Sequence, residues 1–239
     1  MVRLLVLAAL ALAVVGDGVA RAGTPAVPIL QYHVIGTRPT GSPLQGLYVT
    51  PKAFAQQVDW LAANGWTTLT LAEVADAWRH GRPLARRSVV ISFDDGYPGD
   101  WRYALPVLRA HGFVGVLNLQ IGNLLPGHVR RLIDAGWEVD SHTFTHPDLR
   151  SVSDAQLERE VVHSRRWLQR VFHVPVPAFC YPFGFYDARV VAAVRRAGYL
   201  IGETENQGWA SPRDGLLTLD RLRITPTTGV DGLASLLRG

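Results

Sequence analysis

One cysteine, Cys180, occurs in 239 residues, which excludes an intramolecular disulfide framework and any cysteine-built zinc finger. Lysine is as scarce. Lys52 stands alone, and every other basic side chain is an arginine. The arginines are scattered rather than grouped in a stripe, and 24 basic against 20 acidic residues leave a formal charge of only +4. That pattern reads as a solvated basic surface and argues against nucleic acid as a partner. Charged residues are few, at 18%, while hydrophobic ones reach 48%, so the chain can bury a substantial core. There is no internal repeat, low-complexity tract or interdomain linker, which favours a single domain. The apolar run Leu4 to Val15 is too short for a membrane span, which needs roughly 20 residues.

That run instead follows a short basic start at Arg3 and precedes Ala20-Arg21-Ala22, the order of a secretory signal peptide and its cleavage site. Residues 1–22 are therefore read as a signal peptide and 23–239 as the mature domain, periplasmic or secreted, with an uncleaved N-terminal anchor as the alternative. No cysteine follows the run, so a lipoprotein anchor is excluded. In an oxidising compartment the lone Cys180 thiol, set in Ala178-Phe179-Cys180-Tyr181, is expected to be buried and inert.

From Val27 onward short apolar runs alternate with amphipathic stretches. Strands are expected at Pro28–Tyr32, Ser88–Phe93, Val114–Leu119, Trp137–Asp140, Pro177–Tyr181, Leu200–Glu203 and Leu219–Ile224. Thr50-Pro51 supplies an N-cap and a first-turn proline for a helix carrying Phe54, Val58 and Leu61. Thr70-Leu71-Ala72-Glu73 is a capping box. Further helices are expected at Tyr103–Ala110, Gly127–Ala135, Ser153–Phe172, Asp187–Ala197 and Val230–Leu237. Such alternation implies an α/β fold with a parallel sheet, open or closed into a barrel, and chemistry at the C-terminal strand ends.

Polar residues gather at those ends. Ser92-Phe93-Asp94-Asp95-Gly96-Tyr97 closes one strand with two adjacent carboxylates, which repel unless a cation or basic partner intervenes. Beyond the strand ending at Asp140, Ser141-His142-Thr143-Phe144-Thr145-His146 places two imidazoles at i and i+4. On one helical turn these would point the same way. Two imidazoles and a carboxylate with open coordination positions describe a catalytic metal site. Zn²⁺ suits those donors best, with Co²⁺, Ni²⁺ or Fe²⁺ as alternatives. A third cluster, Tyr181-Pro182-Phe183-Gly184-Phe185-Tyr186, follows another strand, and its bend can leave an amide free to aim at an oxygen. Asp140 is a candidate partner of a ligand histidine. Asp148 reads as a turn residue, and Trp101 and Tyr103 as core.

The first cluster resembles the first motif of the polysaccharide deacetylases of carbohydrate esterase family four, the domain shared with rhizobial nodulation-factor deacetylases. Ser141 to His146 resembles the second motif. Tyr181-Pro182-Phe183-Gly184 and Leu30-Gln31-Tyr32-His33 are similar to the branch of biofilm poly-N-acetylglucosamine deacetylases. The resemblance runs from about Pro28 to Ile224 and implies a distorted (β/α)7 barrel. It implies that Asp95, His142 and His146 hold the metal, that Asp94 is the general base, and that the Phe183 N–H helps bind the oxyanion. It departs from the usual pattern twice. Cys180 stands where an arginine commonly steadies the base, and Arg221, in Arg221-Leu222-Arg223-Ile224, resembles the arginine of the branch's fourth motif, which would pair with Asp94 instead. The usual C-terminal histidine is missing, since none follows His173, and the resemblance to the biofilm branch, where that motif stands at the N-terminus, implies His33 as the general acid. Tyr97, Phe144, Tyr181, Pro182, Phe185 and Tyr186 are candidate sugar-binding residues. The implied substrate is an N-acetylated polysaccharide; the sequence leaves the oligomeric state open, with a monomer favoured. An O-acetyl esterase, or a carbohydrate-binding module that has lost catalysis, are the alternatives.

Overall fold

The computed structural model describes residues 25–238. Seven parallel strands close into a barrel: β1 (Ile29–Tyr32), β2 (Ser88–Asp94), β3 (Val116–Leu119), β4 (Glu138–Ser141), β5 (Ala178–Cys180), β6 (Ile201–Gln207) and β7 (Leu219–Arg223). Each pairs with the next, and β1 pairs with both β7 and β2, so no barrel edge is left open. Two short additions lie outside the ring. Thr67–Thr68 runs beside Ser88 and Val89, and Val34–Ile35 pairs with Tyr48–Val49.

Around the ring lie α1 (Pro51–Ala63), α2 (Leu71–His80), α3 (Leu105–Ala110), α4 (Pro126–Asp134), α5 (Asp154–Glu158), α6 (Ser164–Phe172), α7 (Ala188–Arg196) and α8 (Gly229–Leu236). The expected caps form: Thr50 accepts from Ala53 N, and Thr70 and Glu73 complete their box. The expected Ser153 helix is continuous through α5 and α6, with a wide π turn at Arg159–His163 between them. A similar turn at Asp100–Ala104 starts the α3 helix earlier than the apolar pattern does.

The period of two along each strand divides the core in two. Leu30, Phe93, Leu117, Val139 and Phe179 point outward and join the helices in the main apolar cluster. Ile29, Val90, Val116, Ala178, Ile201 and Leu219 belong to a second cluster with Leu71, Val74, Ala75 and Trp78 of α2. This apolar layer seals the N-terminal end of the barrel, at roughly 1.5–3 kcal/mol per fully buried large aliphatic side chain. Glu138 of β4 fixes the plug by accepting from the Leu71 and Ala72 N–H groups at 2.9 and 3.0 Å, so a carboxylate meets the positive end of α2. Two residues further along each strand the same face turns polar, with Gln31, Ser92, Asp94, Asn118, Asp140, Glu203 and Arg221 all buried. That switch also explains why β6 runs on to Gln207, past the Glu203 limit expected from its apolar residues.

The expected signal peptide lies outside the described residues. No described helix is long and apolar enough to cross a membrane.

Candidate active site

The C-terminal ends of the barrel strands open into a cavity of about 670 Å³, lined by His33, Asp95, Tyr97, His142, His146, Phe183, Phe185, Glu205 and Arg223. Asp95 Oδ1 lies 3.6 Å from His142 Nε2 and 3.9 Å from His146 Nε2. Ligand atoms bound about 2.0–2.2 Å from one ion stand roughly 3–3.5 Å apart, so a small closure would bring all three onto a single cation. His142 Nδ1 is 2.8 Å from the Cys180 carbonyl. A carbonyl only accepts, so Nδ1 carries the hydrogen and Nε2 presents its lone pair to the cluster. Burial and the neighbouring His142 draw His146 below the usual imidazole range, which keeps it neutral and able to ligate. The donor chemistry and spacing therefore fit a divalent cation.

Asp94, His142 and Cys180 form a second close set, but its chemistry is wrong for that role. Burial pushes the Cys180 thiol well up, so it stays protonated, and Asp94 is already engaged by the Arg221 guanidinium.

The two histidines do not converge as the i, i+4 spacing suggested. Residues 142–146 form a loop, not a helical turn, and Thr143 and His146 adopt φ of 70° and 56°. Glu160 holds this loop from the π turn, accepting from Phe144 N, Thr145 N and Thr145 Oγ1 at 2.7–3.0 Å. Thr143 Oγ1 accepts from His146 N at 2.9 Å. Asp95 and Phe183 are also left-handed, at 74° and 57°, and His173 is the only other such non-glycine residue described. Strain of about 1–3 kcal/mol each is thus concentrated at the cavity.

Asp94 sits beneath the cluster with its side chain 1% exposed. Arg221 grips it bidentately, Nη1 to Oδ1 at 2.8 Å and Nη2 to Oδ2 at 2.9 Å. Asn118 Nδ2 donates to Oδ1 at 2.8 Å and Gln31 Nε2 to Oδ2 at 2.9 Å. Burial alone would raise the Asp94 carboxyl, but the Arg221 guanidinium, His33 and the Arg221 hydrogen bonds hold it well below the usual range. His33 Nε2 is 3.8 Å from Asp94 Oδ2. Burial lowers His33 more than the two aspartates raise it, so the resting imidazole is neutral.

Of the candidate sugar-binding residues, the structure brings Tyr97 and Phe185 to the cavity wall, and it leaves Phe183 and Phe185 exposed there. Burial and Asp95 push the Tyr97 phenol up to about 12. The remaining four lie elsewhere. Tyr181 is fully buried and donates its hydroxyl to the Leu217 carbonyl. Pro182 is buried beside it. Tyr186 packs against the Tyr181 ring at 5.3 Å, and Phe144 leans on Trp167 and Arg159. Asp140 does not touch a ligand histidine. It accepts from Ala178 N inside the barrel, because the Cys180 carbonyl takes the His142 hydrogen instead. Asp148 is a turn residue paired with Arg150, and Tyr103 is exposed.

Sequence reasoning missed Gln31, Asn118, Glu160, Glu205 and Arg223. A signal existed for the first two: each is a lone amide inside an otherwise apolar strand, Ile-Leu-Gln-Tyr and Val-Leu-Asn-Leu. A buried polar residue on a barrel's inner face needs a partner there.

Residues 81–202 match the family model described as polysaccharide deacetylase. The chain is 30% identical over 214 residues to YxkH of Bacillus subtilis (strain 168), covering 87% of this chain and 74% of that protein. A poly-beta-1,6-N-acetyl-D-glucosamine N-deacetylase of Staphylococcus epidermidis is 27% identical over 197 residues, 74% of this chain and 68% of its own. Among solved structures, the Streptococcus pyogenes deacetylase PplD in complex with acetate superposes with a TM-score of 0.83 at 28% identity, covering 89% of this chain and 98% of PplD. With the family model spanning half of its length and relatives matched along most of the rest, the chain belongs to the polysaccharide deacetylase family.

Proposed function

We propose that the protein hydrolyses N-acetyl groups of an N-acetylhexosamine-containing polysaccharide outside the cytoplasm, using one divalent cation held by Asp95, His142 and His146. The observation that carries this reading is that those three donors and His33 line one open cavity, with the buried Asp94–Arg221 pair beneath it and Asp94 Oδ2 3.8 Å from His33 Nε2. The names of two relatives support the chemistry: one acts on a poly-N-acetylglucosamine, and another was solved with acetate, the product of deacetylation. Residues 1–22 are the proposed export signal.

Bound by two imidazoles and a carboxylate, a cation such as Zn²⁺ supplies Lewis acidity that makes water nucleophilic near neutral pH and polarises the acetyl carbonyl. Asp94, kept ionised by Arg221, accepts the proton of the attacking water. The Phe183 N–H, at the left-handed turn on the cavity lip, steadies the developing oxyanion. His33 starts neutral, so the proton it delivers arrives during turnover, and Asp94 Oδ2 is the nearby source. A carboxyl held below its usual range gives that proton up readily. Transfer to the sugar nitrogen breaks the C–N bond and releases acetate and a free amine. Phe183 and Phe185 offer exposed rings against which sugar faces can stack.

The test is acetate release from N-acetylglucosamine oligomers and from acetylated xylan, before and after chelation and with Zn²⁺ restored. Release from the oligomers that is abolished by chelator and recovered with Zn²⁺ supports the proposal. Turnover of xylan alone would make the enzyme an O-acetyl esterase, and no turnover with retained glycan binding would make it a binding module.

A further inference from the structure

Above its apolar plug, the barrel interior is rich in acceptors and short of donors. Among the described residues, Gln31 Oε1, Asn118 Oδ1, Asp140 Oδ2 and both carboxyl oxygens of Glu203 are buried without a well-formed hydrogen bond. Glu203 stands out because of what it touches. Its Oε1 is 3.7 Å from Arg221 Nη1, and its carboxyl meets the Asn118 side chain. Arg221 and Asn118 are the two donors to Asp94 Oδ1, each at 2.8 Å. Parallel pairing with Cys180 on one side and Leu219 on the other fixes the position of Glu203 in β6, and it is fully buried, away from the cavity wall.

We propose that Glu203 is a positioning residue for Asp94: it carries a proton, donates it to the Asn118 side-chain carbonyl, and so keeps the Asn118 amide and Arg221 aligned on Asp94 Oδ1. The inference rests on the reading of Asp94 as the base. Asn118 must turn its amide toward an ionised Asp94, which leaves its carbonyl in need of a donor. A protonated Glu203 supplies one inside the barrel, where the other orphaned side-chain atoms are the acceptors Gln31 Oε1 and Asp140 Oδ2. An ionised Glu203 acts in reverse, competing with Asp94 for both Arg221 and the Asn118 amide.

The surroundings favour the protonated form. Facing Glu203 are Arg221 of β7, Asp94 of β2, Asn118 of β3, Glu138 and Asp140 of β4, and the Cys180 thiol of β5. Burial outweighs the Arg221 guanidinium and the Asn118 contact, which both lower it, with Asp94 and Glu138 adding to the rise, and the Glu203 carboxyl is pushed up to about 7. The proton is therefore held through the mildly acidic range and lost above it.

Two variants separate this role from packing. Glu203→Gln keeps a permanent donor, and Glu203→Leu keeps the volume without one. Both are compared with wild type by thermal melting, by kcat and KM for acetate release across the mildly acidic to mildly alkaline range, and by the Asn118 side-chain amide resonance in cation-free protein. In wild type that resonance titrates near neutrality, and in Glu203→Gln it does not. Glu203→Gln retains kcat within about threefold and loses the corresponding limb of the pH profile, while Glu203→Leu loses about 10²-fold in kcat at unchanged KM, the scale of a misplaced catalytic group. Wild-type kcat in Glu203→Leu, equal loss in both variants, or an Asn118 resonance indifferent to residue 203 would each overturn the proposal. The resonance needs no turnover and no Glu203→Leu protein. It therefore judges Glu203 even if wild type releases no acetate, which would refute the enzymatic reading instead.

Discussion

Replacing Arg221 by methionine should cost more stability than any other single polar substitution in the barrel. Arg221 and Asp94 are each 1% exposed in their side chains, and the bidentate pair is buried on all sides. Methionine retains the aliphatic stem but removes both bonds to Asp94, the Nε bond to the Thr204 carbonyl at 2.7 Å and the Nη2 contact with Cys180 Sγ at 3.3 Å. Asp94 then keeps only the Gln31 and Asn118 amides, neither of them charged. Stranding one member of a buried ion pair costs about 3–5 kcal/mol, out of a typical total of about 5–15. At an m-value of about 2–3 kcal/mol per molar, the urea midpoint should fall by roughly 1–2 M. Chelator is present throughout, so that ligand linkage does not enter. Asp94→Asn alone leaves Arg221 stranded in turn, whereas the double variant leaves no unpaired charge. The cycle should therefore show a coupling of about 2–3 kcal/mol. A loss below about 1 kcal/mol for Arg221→Met, or strict additivity, would show that water or a rearranged side chain already compensates Asp94, and the account of the buried pair would be wrong.

Asp94→Asn should abolish turnover while leaving Zn²⁺ binding, measured by equilibrium dialysis, within a few-fold of wild type; His142→Ala should lose both. His33→Ala should slow the chemical step by about 10²–10⁴-fold in single-turnover assays if it delivers the proton, and an unchanged rate would leave it structural. Stability should also depend on pH through Glu203. Its folded value near 7 lies above the ordinary 4.5, so the stabilisation from the bound proton is full below 4.5 and is lost as pH rises through 7, by about 3 kcal/mol at most. Urea titrations should show a shallower decline over that window in Glu203→Gln than in wild type, the remaining slope coming from Asp140, Asp100 and Glu138, which burial also raises. Asp94 works in the opposite sense at lower pH, stabilising above its usual range and losing that contribution only as pH falls through its depressed value. Gly184→Ala should destabilise the cavity lip, since a Cβ there would stand 2.5 Å from Glu205 N at a φ of +68°, and melting is the measure.

The strands and helices were legible because their signals are local. Ser88 to Phe93 is apolar and β-branched over its whole length, and Thr70 with Glu73 marks a helix start that the structure reproduces bond for bond. Closure into a ring was not local. The alternation of strands and helices is equally compatible with an open sheet, and what closes the barrel is the β1–β7 pairing, Leu30 with Leu222 and Gln31 with Arg223, between residues almost two hundred positions apart. Only the family resemblance favoured the barrel in advance.

The site divides along the same line. Asp94, Asp95, His142 and His146 announce themselves because polar residues crowd the ends of apolar strands, but the way the histidines meet could not be read from their spacing. A four-residue interval fits a helical turn, and here it is a strained loop whose backbone is pinned by Glu160 from another element. The aromatic residues misled for a related reason. Tyr181, Phe183, Phe185 and Tyr186 are similar in sequence, yet the left-handed turn at Phe183 and Gly184 sends Phe183 and Phe185 to the cavity and turns Tyr181 inward, where Leu217 accepts its hydroxyl. Which ring reaches the cavity thus depends on two dihedral angles, and those angles hold because residue 184 is the glycine that Glu205 requires. Glu205 also accepts from Gln31, which donates to Asp94 as well. One strand-end carboxylate therefore ties the aromatic lip to the buried acid, and displacing it should disturb sugar contact and proton transfer together.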